Sequence, residues 1–387
     1  MIFKLLEELI VRIEQMRHSI RMVVLHTKVN QNFQQKIDTH LKHIKFEILE
    51  ILGSEYRNLP SNIVGINFYS DYRLCCERIH EIEYHGVQVL RKYGDREYYF
   101  LNLIKEIIQN QLRVSISIPM VTTIKSNNEY FWADIGYELI GIPSGEEYHL
   151  TSLPDLIHEI SHFIIGNPNI NVWLIGDITT KINNHFDKEF ADAEDRARSS
   201  QKLLRDLPIW KNNWNDKWLI EFSCDMLATY FVGSAYAWTN LKISAADLPK
   251  DIYSVDKKEH PSHEARMRAI NEMLIMIGEE SEIASINKEW DELLNFPNYD
   301  KPNNYGMVFP EILLKNLAFN IYTGCQKMGY LSYPEQMNQI EYPISKLMND
   351  AWHFLLAEPS KYNIWEKEQI KILHKKFNFE SSDVQNT

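Results

Sequence analysis

The beginning of the chain carries a hydrophobic pattern with the period of an α-helix. Apolar side chains recur at alternating spacings of three and four residues in two runs, Leu6, Leu9, Ile13, Met16, Ile20 and Val23, then Ile37, Leu41, Ile44, Ile48 and Ile51. This spacing places the apolar side chains on one face of each helix and predicts a helical hairpin over residues 1–58. We expect the hairpin to pack on the rest of the chain; a homodimer through these N-terminal helices is the alternative.

The hydrophobic period changes in the stretch 113–143. Apolar side chains there alternate with small or polar ones, at Val114, Ile116 and Ile118. A turn-like segment at 126–128 precedes a run rich in Tyr, Phe and Trp, and 137–143 is a candidate for one more strand. Alternation with a period of two is typical of β-strands. The chain is therefore predicted to be an α+β protein, predominantly helical, with a small antiparallel sheet.

Three later segments have the pattern of helices. Residues 153–165 follow Ser152, which can cap a helix, and carry Pro154 in the first turn. Residues 217–232 form a second predicted helix, and a third begins near Ser262. Because the first two are apolar nearly all round, we expect them to be buried.

Composition and charge limit the possible partners and the compartment. Hydrophobic residues make up 44% and charged residues 24% of the 387 residues, and the net charge of −12 argues against a nucleic acid as the main partner. Acidic residues interrupt the first apolar run, unlike a signal peptide, and the most apolar later segment, 226–238, is shorter than the roughly 18 residues that span a bilayer. The four cysteines form no C-x-x-C pair. We expect a cytoplasmic protein without a membrane span.

The predicted helix 153–165 contains the motif H-E-x-x-H. His158 and His162 are four residues apart, so both imidazoles project from one helix face and can bind one zinc ion. Glu159 follows the first histidine and can act as the general base that activates a zinc-bound water. Three ionisable side chains on so apolar a helix need partners, which a metal ion supplies.

The best candidate for a third zinc ligand lies on the second buried helix. Glu221 and Asp225 are four residues apart on one face, so Glu221 can bind the metal and Asp225 can accept the free N–H of His158. The acidic stretch 189–194 is an alternative source of the ligand. Cys224 is interpreted as a small core residue.

His260 and Arg266 flank the start of the third helix. There they can reach the oxyanion that forms when water attacks a peptide carbonyl, whereas the alternative is an ordinary surface histidine beside a helix cap.

The three segments together resemble the gluzincin metallopeptidases, most closely the family of the CAAX-prenyl endopeptidases and heat-shock membrane peptidases. The shared pattern is H-E-x-x-H, then E-x-x-x-D, then H-P-x-x-x-x-R, here at 158–162, 221–225 and 260–266. The resemblance spans about 136–277 and implies zinc held by His158, His162 and Glu221, Glu159 as base and Asp225 behind the ligands. It also implies that His260 and Arg266 lie near the oxyanion or near the ligand glutamate. It further implies that a strand at 136–143 pairs with an extended protein or peptide substrate. Ser161 replaces the family's usual glycine, and the membrane spans of the family are absent.

These observations predict three regions and an activity. The regions are the hairpin 1–58, a zincin-like core at 60–280 and a helical region at 281–387. Within the core, 163–220 is an insertion. Its three Trp residues either pack within the helices of the core or form a lid over the cleft. The predicted activity is that of a zinc-dependent endopeptidase, a hydrolase performing selective proteolysis of a cytosolic protein. The alternative is a catalytically silent zincin-like module that binds proteins.

Overall fold

The structure is predominantly helical, which confirms the predicted fold class at that level. It is a computed structural model that describes residues 2–25, 27–53, 61–123, 130–195, 201–246, 252–295 and 301–377. The region boundary at residues 59 and 60 and the turn at 126–128 lie outside this range. Among the described helices, none combines the length and the apolar character that crossing a membrane requires.

The chain folds as two compact units. Unit 1 contains Met1–Leu101 and Ile118–Ser144, and unit 2 contains Asn102–Ser117 and Gly145–Phe377. Compactness does not test where independently folding domains begin. The predicted division into 1–58, 60–280 and 281–387 therefore stays a prediction.

Unit 1 is built from helices and one small sheet. Its helical elements are α1 (Ile2–Arg21), α2 (Lys28–Gly53), α3 (Ser61–Ile82), a π-helical turn (Glu83–Val87), α4 (Gln88–Lys92) and the first part of α5 (Asp95–Glu106). α1 and α2 pack as a hairpin. Arg17 lies 2.7 Å from Asp38, and Glu14 lies 2.7 Å from Lys45. The two helices run antiparallel, since the residue number on one falls as its partner's number rises.

The apolar stripes of α1 and α2 are buried within the chain. Leu9 and Ile13 of α1 and Ile37 and Leu41 of α2 are each at most 1% exposed and share one apolar cluster with residues of α3. Gly86 lets α2 approach closely, because a Cβ there would lie 2.6 Å from Ile37 Cδ1. Because these side chains are already buried internally, this stripe cannot form a seam with a second copy; a homodimer through other faces of the N-terminal helices stays a prediction.

The small sheet is mixed, so the prediction of an antiparallel sheet is wrong. Its strands are β1 (Met120–Thr122), β2 (Trp132–Asp134) and β3 (Leu139–Gly141), in the order β1-β3-β2. β1 runs parallel to β3, and β2 runs antiparallel to it. The alternation at 114–118 also forms no strand: Arg113 has a φ of 57°, and Pro119 has no N–H to donate, so the ladder begins only at Met120.

β3 is the central strand of this sheet. Ile140 pairs with Val121 on one side and with Ala133 on the other. A bound peptide can add only to a strand edge whose N–H and C=O groups are unpaired. The predicted pairing of an extended substrate with the strand at 136–143 is therefore contradicted.

The described secondary structure of unit 2 is helical. Its α-helices after α5 are α6 (Leu153–Ile165), α7 (Pro168–Ile175), α8 (Ile178–Asp195), α9 (Gln201–Asn213), α10 (Leu219–Val232), α11 (Ser234–Ala246), α12 (His263–Ile277), α13 (Glu280–Asn295), α14 (Tyr305–Val308), α15 (Glu311–Met328), α16 (Tyr333–Gln339), α17 (Ile344–Ala357) and α18 (Pro359–Lys376). α6 spans the same residues as the predicted helix 153–165. α10 covers most of the predicted helix 217–232, and a π-helical turn, Trp214–Trp218, precedes it.

α10 lies at the centre of unit 2. It packs against α6, α12 and α15, and every residue in it except Ile220 is buried. Its acidic side chains therefore cannot be solvated and must find partners on the neighbouring helices.

The insertion 163–220 contributes to the core of unit 2. Trp210, Trp214 and Trp218 are at most 2% exposed. The indole of Trp214 donates to the carbonyl of Val308 at 2.7 Å, and that of Trp218 donates to the carbonyl of Lys257 at 3.0 Å. These contacts support ordinary packing and contradict a lid, because a lid needs side chains that can leave the surface they cover.

Candidate metal centre

α6 presents His158 and His162 on one face, with ring centroids 5.0 Å apart. The helix begins directly from a 3-10 turn, Leu150–Ser152, and the Ser152 hydroxyl caps no helix N–H. It accepts instead from the Lys242 ammonium at 3.1 Å. The cap predicted at this position is wrong, although the helix starts where the pattern indicates.

Glu221 of α10 reaches both histidine rings. Its Oε2 lies 3.5 Å from His158 Nε2, and its Oε1 lies 3.7 Å from His162 Nε2. The contact between α6 and α10 brings these three side chains together although α7, α8 and α9 separate them in sequence. Two imidazoles and one carboxylate thus lie close together, with a different oxygen of Glu221 nearest to each ring, and they could hold a metal ion.

Glu159 lies beside the same point. One potential ligand atom from each of His158, Glu159 and His162 falls within 4.8 Å of the others. Glu159 Oε2 is 4.0 Å from His162 Nε2, farther than either Glu221 contact. Of the two carboxylates, that of Glu221 is therefore the nearer to His162 Nε2, at 3.7 Å against 4.0 Å. Neither the alternative stretch 189–194 nor Glu221 belongs to this compact group of described residues, so the case for Glu221 depends on its separate contacts with the two rings.

Asp225 lies behind His158, one helical turn after Glu221. Its Oδ1 is 3.0 Å from His158 Nδ1. Arg266 of α12 holds the same carboxylate in a fork, with Nε donating to Oδ2 at 2.8 Å and a terminal nitrogen donating to Oδ1 at 2.6 Å. Asp225 is fully buried, so this pairing neutralises a charge that has no access to water.

Arg266 does not have the position predicted for an oxyanion ligand. It is 9% exposed, and its fork is turned towards Asp225. These contacts place it on the Nδ1 side of His158, away from Nε2, which faces Glu221. Of the two residues predicted near the oxyanion, His260 is the one with a largely exposed side chain, at 58%.

Tyr236 of α11 is a member of the site that the sequence motifs do not include. Its hydroxyl lies 2.9 Å from His158 Nδ1 and also donates a short hydrogen bond to Asp225 Oδ1. Gly233, with a φ of 62°, turns the chain between α10 and α11 and so breaks any helical register between Asp225 and Tyr236. The only signal in the sequence is a tyrosine within an apolar run, since a buried hydroxyl needs a partner.

The carboxylates and imidazoles shift one another's pKa values. Burial lowers the pKa of His158, but hydrogen bonds to Asp225 and Glu221 outweigh it and raise that pKa to about 10. Burial and the neighbouring His158 lower the pKa of His162 to about 4. Burial raises the pKa of Glu221, yet the hydrogen bond from His158 brings it down to about 2, whereas burial leaves that of Glu159 raised to about 8. At neutral pH these pKa values give an anionic Glu221 and a neutral His162, as metal ligands must be, but a protonated His158, which has to release the proton on Nε2 before it can bind a metal ion.

His260 lies at the opening of the site. Its side chain is 58% exposed, and its Nε2 is 3.8 Å from Glu221 Oε2. Ser262, two residues on, accepts from the Ala265 N–H and caps α12. The loop that carries His260 is thus anchored to a helix start, which holds the imidazole beside the ligand carboxylate.

Comparison with protein-family models, with curated proteins and with solved structures finds no match for this chain. The interpretation of the centre therefore depends on its own residues and their geometry.

Proposed function

We propose that this chain is a zinc-dependent endopeptidase with a zincin-like core, acting selectively on a protein of the cytoplasm. His158, His162 and Glu221 hold the zinc ion, and Glu159 is the general base. The observation that carries the proposal is the approach of Glu221 to both Nε2 atoms, at 3.5 and 3.7 Å. The approach brings together α6 and α10, two helices that are far apart in the sequence.

The donor set fits zinc. Four ligands placed tetrahedrally at about 2.0–2.1 Å from zinc lie about 3.3–3.4 Å from one another. Glu221 Oε2 lies 3.5 Å from His158 Nε2 and Glu221 Oε1 lies 3.7 Å from His162 Nε2, so each oxygen is close to this distance from one of the two nitrogens. Asp225 supports the fit, because histidine ligands of zinc commonly donate their second N–H to a carboxylate.

The set also resembles a catalytic rather than a structural zinc site. Structural sites use four protein ligands, often thiolates, whereas catalytic sites use three and leave one position open. Cys224 is fully buried on α10, and burial raises the pKa of its thiol well above the usual range. Because a bound zinc ion deprotonates a thiol, this pKa alone does not decide the matter; Cys224 lies outside the group of His158, Glu159 and His162, and we interpret it as a core residue, which leaves three proposed donors.

The chemistry then divides among few residues. Zinc, when bound, supplies a Lewis acid that polarises a carbonyl and makes water more acidic. Glu159 takes a proton from the attacking water and returns it to the leaving amine. His260, exposed at the opening, donates a hydrogen bond to the oxyanion of the substrate. Arg266 and Asp225 keep His158 in place.

The proposed substrate class and the proposed compartment are each supported by fewer observations than the metal centre. A peptide bond as the substrate follows from the resemblance of the three motifs to the gluzincins. The free cysteines, Cys75, Cys76, Cys224 and Cys325, support a reducing compartment. With β3 paired on both sides, we do not propose that the substrate binds to that strand.

The test compares wild type with Glu159→Gln and Glu221→Gln, measuring bound zinc and hydrolysis of a peptide library. We expect Glu159→Gln to keep its zinc and lose roughly 10²–10⁴-fold in rate, because only the base is removed. Glu221→Gln should lose zinc and activity together. Glu264→Gln is the matched control: Glu264 is 9% exposed against 8% for Glu221, but it pairs with Arg268 and Lys301.

Three results would contradict parts of the proposal. If purified wild type contains no zinc, the proposed metal centre is contradicted. If wild type and Glu159→Gln hydrolyse the peptides at equal rates, Glu159 is not the general base. Zinc-loaded wild type that binds peptides without cleaving them favours the catalytically silent module.

A further inference from the structure

We propose that Tyr236 is a positioning residue that keeps a proton on His158 Nδ1, so that Nε2 presents its lone pair to the metal ion. This inference rests on the proposed function, because it concerns the same centre. Tyr236 belongs to none of the three sequence motifs, and it lies on a helix, α11, that carries no proposed ligand.

Tyr236 is held in one orientation. It is fully buried in the first turn of α11, and its ring lies nearly parallel to that of His158, with 10° between the planes and 5.9 Å between the ring centroids. Its hydroxyl lies 2.9 Å from His158 Nδ1, donates to Asp225 Oδ1, and is 3.3 Å from a terminal nitrogen of Arg266. The hydroxyl is therefore shared by three polar groups that have no access to water.

Counting protons assigns the roles within this group. A tyrosine hydroxyl has one proton to donate, and Tyr236 directs it to Asp225. Towards His158 the phenolic oxygen can then only accept. Asp225 Oδ1, the other neighbour of Nδ1 at 3.0 Å, is also an acceptor. Because Nδ1 faces two acceptors, it carries the hydrogen, and a neutral imidazole with hydrogen on Nδ1 has its lone pair on Nε2.

Arg266 makes this assignment robust. It is a permanent donor, and it points Nε and a terminal nitrogen at the two oxygens of Asp225. Asp225 is thereby kept as a carboxylate that accepts from both Tyr236 and His158. Arg266 and Tyr236 therefore donate hydrogen bonds to Asp225. His158 Nδ1 donates to the two oxygens around it, Asp225 Oδ1 and the Tyr236 hydroxyl oxygen.

A second buried tyrosine of unit 2 offers the control. Tyr230 of α10 is fully buried, and its hydroxyl donates to the backbone carbonyl of Tyr330 at 3.0 Å. Its hydrogen bond holds two parts of the fold together and involves none of the proposed ligands. Tyr230→Phe and Tyr236→Phe thus remove the same atom from equally buried rings, and only one of these atoms contacts the metal centre.

The experiment measures zinc affinity by competition with a chromophoric chelator, for wild type, Tyr236→Phe and Tyr230→Phe. We expect Tyr236→Phe to bind zinc about 10–100-fold more weakly, as loss of a hydrogen bond behind a ligand does in other zinc sites. Tyr230→Phe should bind as wild type does. Thermal unfolding of the metal-free proteins shows how much stability each substitution removes.

Equal zinc affinity in wild type and Tyr236→Phe would overturn the inference while leaving the proposed function intact. So would an equal loss of affinity in Tyr230→Phe, which would indicate a general effect of instability. Wild type that binds no zinc would overturn the proposed function itself. The two failures are therefore distinguishable.

A measurement on the unsubstituted protein keeps the inference testable if Tyr236→Phe does not fold. In zinc-loaded wild type labelled with ¹⁵N-histidine, the NMR spectrum should show a proton bonded to His158 Nδ1 and protected from exchange. The resonance is assigned by its absence in His158→Asn. An Nδ1 without a bonded proton would overturn the assignment.

Discussion

Each unit contains an arginine–aspartate pair. The two arginines are exposed to the same small extent, but the two aspartates differ in their exposure to water. Arg17 and Arg266 are 12% and 11% exposed at their side chains, whereas their partners Asp38 and Asp225 are 15% and 0% exposed. Asp38 also faces Lys42, a cation that is more than half exposed. Among the described residues, the polar partners of the Asp225 oxygens are the buried side chains of His158, Arg266 and Tyr236.

The difference teaches what each pair can do. An ion pair that water can reach contributes modestly, because solvent replaces either partner when the other is removed. A pair without water cannot lose one member without leaving a buried charge. The first pair therefore supports a helix hairpin, and the second can hold a metal ligand at a defined angle.

The strongest test of this comparison makes the same substitution in both pairs. Asp225→Asn should lower the free energy of unfolding of the metal-free protein by about 3–5 kcal/mol, because Arg266 stays buried without its counter-charge. Zinc affinity should fall about 10–100-fold, because His158 loses its strongest acceptor. Chemical denaturation and chelator competition measure the two effects. A loss of stability no larger than that of Asp38→Asn would remove the distinction between the pairs.

A finer test keeps the charge and changes only the shape of the cation. Arg266→Lys retains a positive charge but cannot fork onto both oxygens of Asp225, so we expect a loss of about 2 kcal/mol in unfolding free energy. Arg17→Lys, the matched change in unit 1, should cost less than about 1 kcal/mol. Both values come from denaturant titrations at neutral pH. If the two lysine variants lost equal stability, the forked contact would have no special role.

The smallest expected effect concerns Asp38 and pH. Burial raises its pKa, but hydrogen bonds from Arg17 and Lys42 outweigh burial and lower the pKa from 3.8 to about 2. A depressed pKa in the folded state stabilises the protein above the unfolded value and stops doing so as pH falls from about 4 to 2. Asp38→Asn should cost about 1 kcal/mol or less at neutral pH.

The measurement for Asp38 is the difference in unfolding free energy between wild type and Asp38→Asn at several pH values. That difference should shrink as the pH falls through this window, because the wild-type carboxylate becomes protonated and loses its charge. A difference that stays constant from pH 7 to pH 2 would show that the ion pair contributes nothing.

Local patterns predicted the parts of the fold that depend on neighbouring residues. The 3.6-residue period identifies α1, α2 and α6, because each helix has one strongly apolar face or is apolar throughout. The same reasoning failed at 114–118, where Arg113 and Pro119 exclude a strand that the alternation favours. It also missed that β3 lies between two strands, since register and order depend on pairing partners elsewhere in the chain.

At the metal centre the division is equally clear. The sequence alone determined that His158 and His162 share a helix face and that Glu221 and Asp225 share another, because four residues make about one helical turn. Only the tertiary structure decided that α10 meets α6, that Arg266 faces Asp225 rather than a substrate, and that Tyr236 enters the group. The physical reason is that helical periodicity is a local property, whereas the partner of a buried charge is chosen by packing between elements distant in sequence.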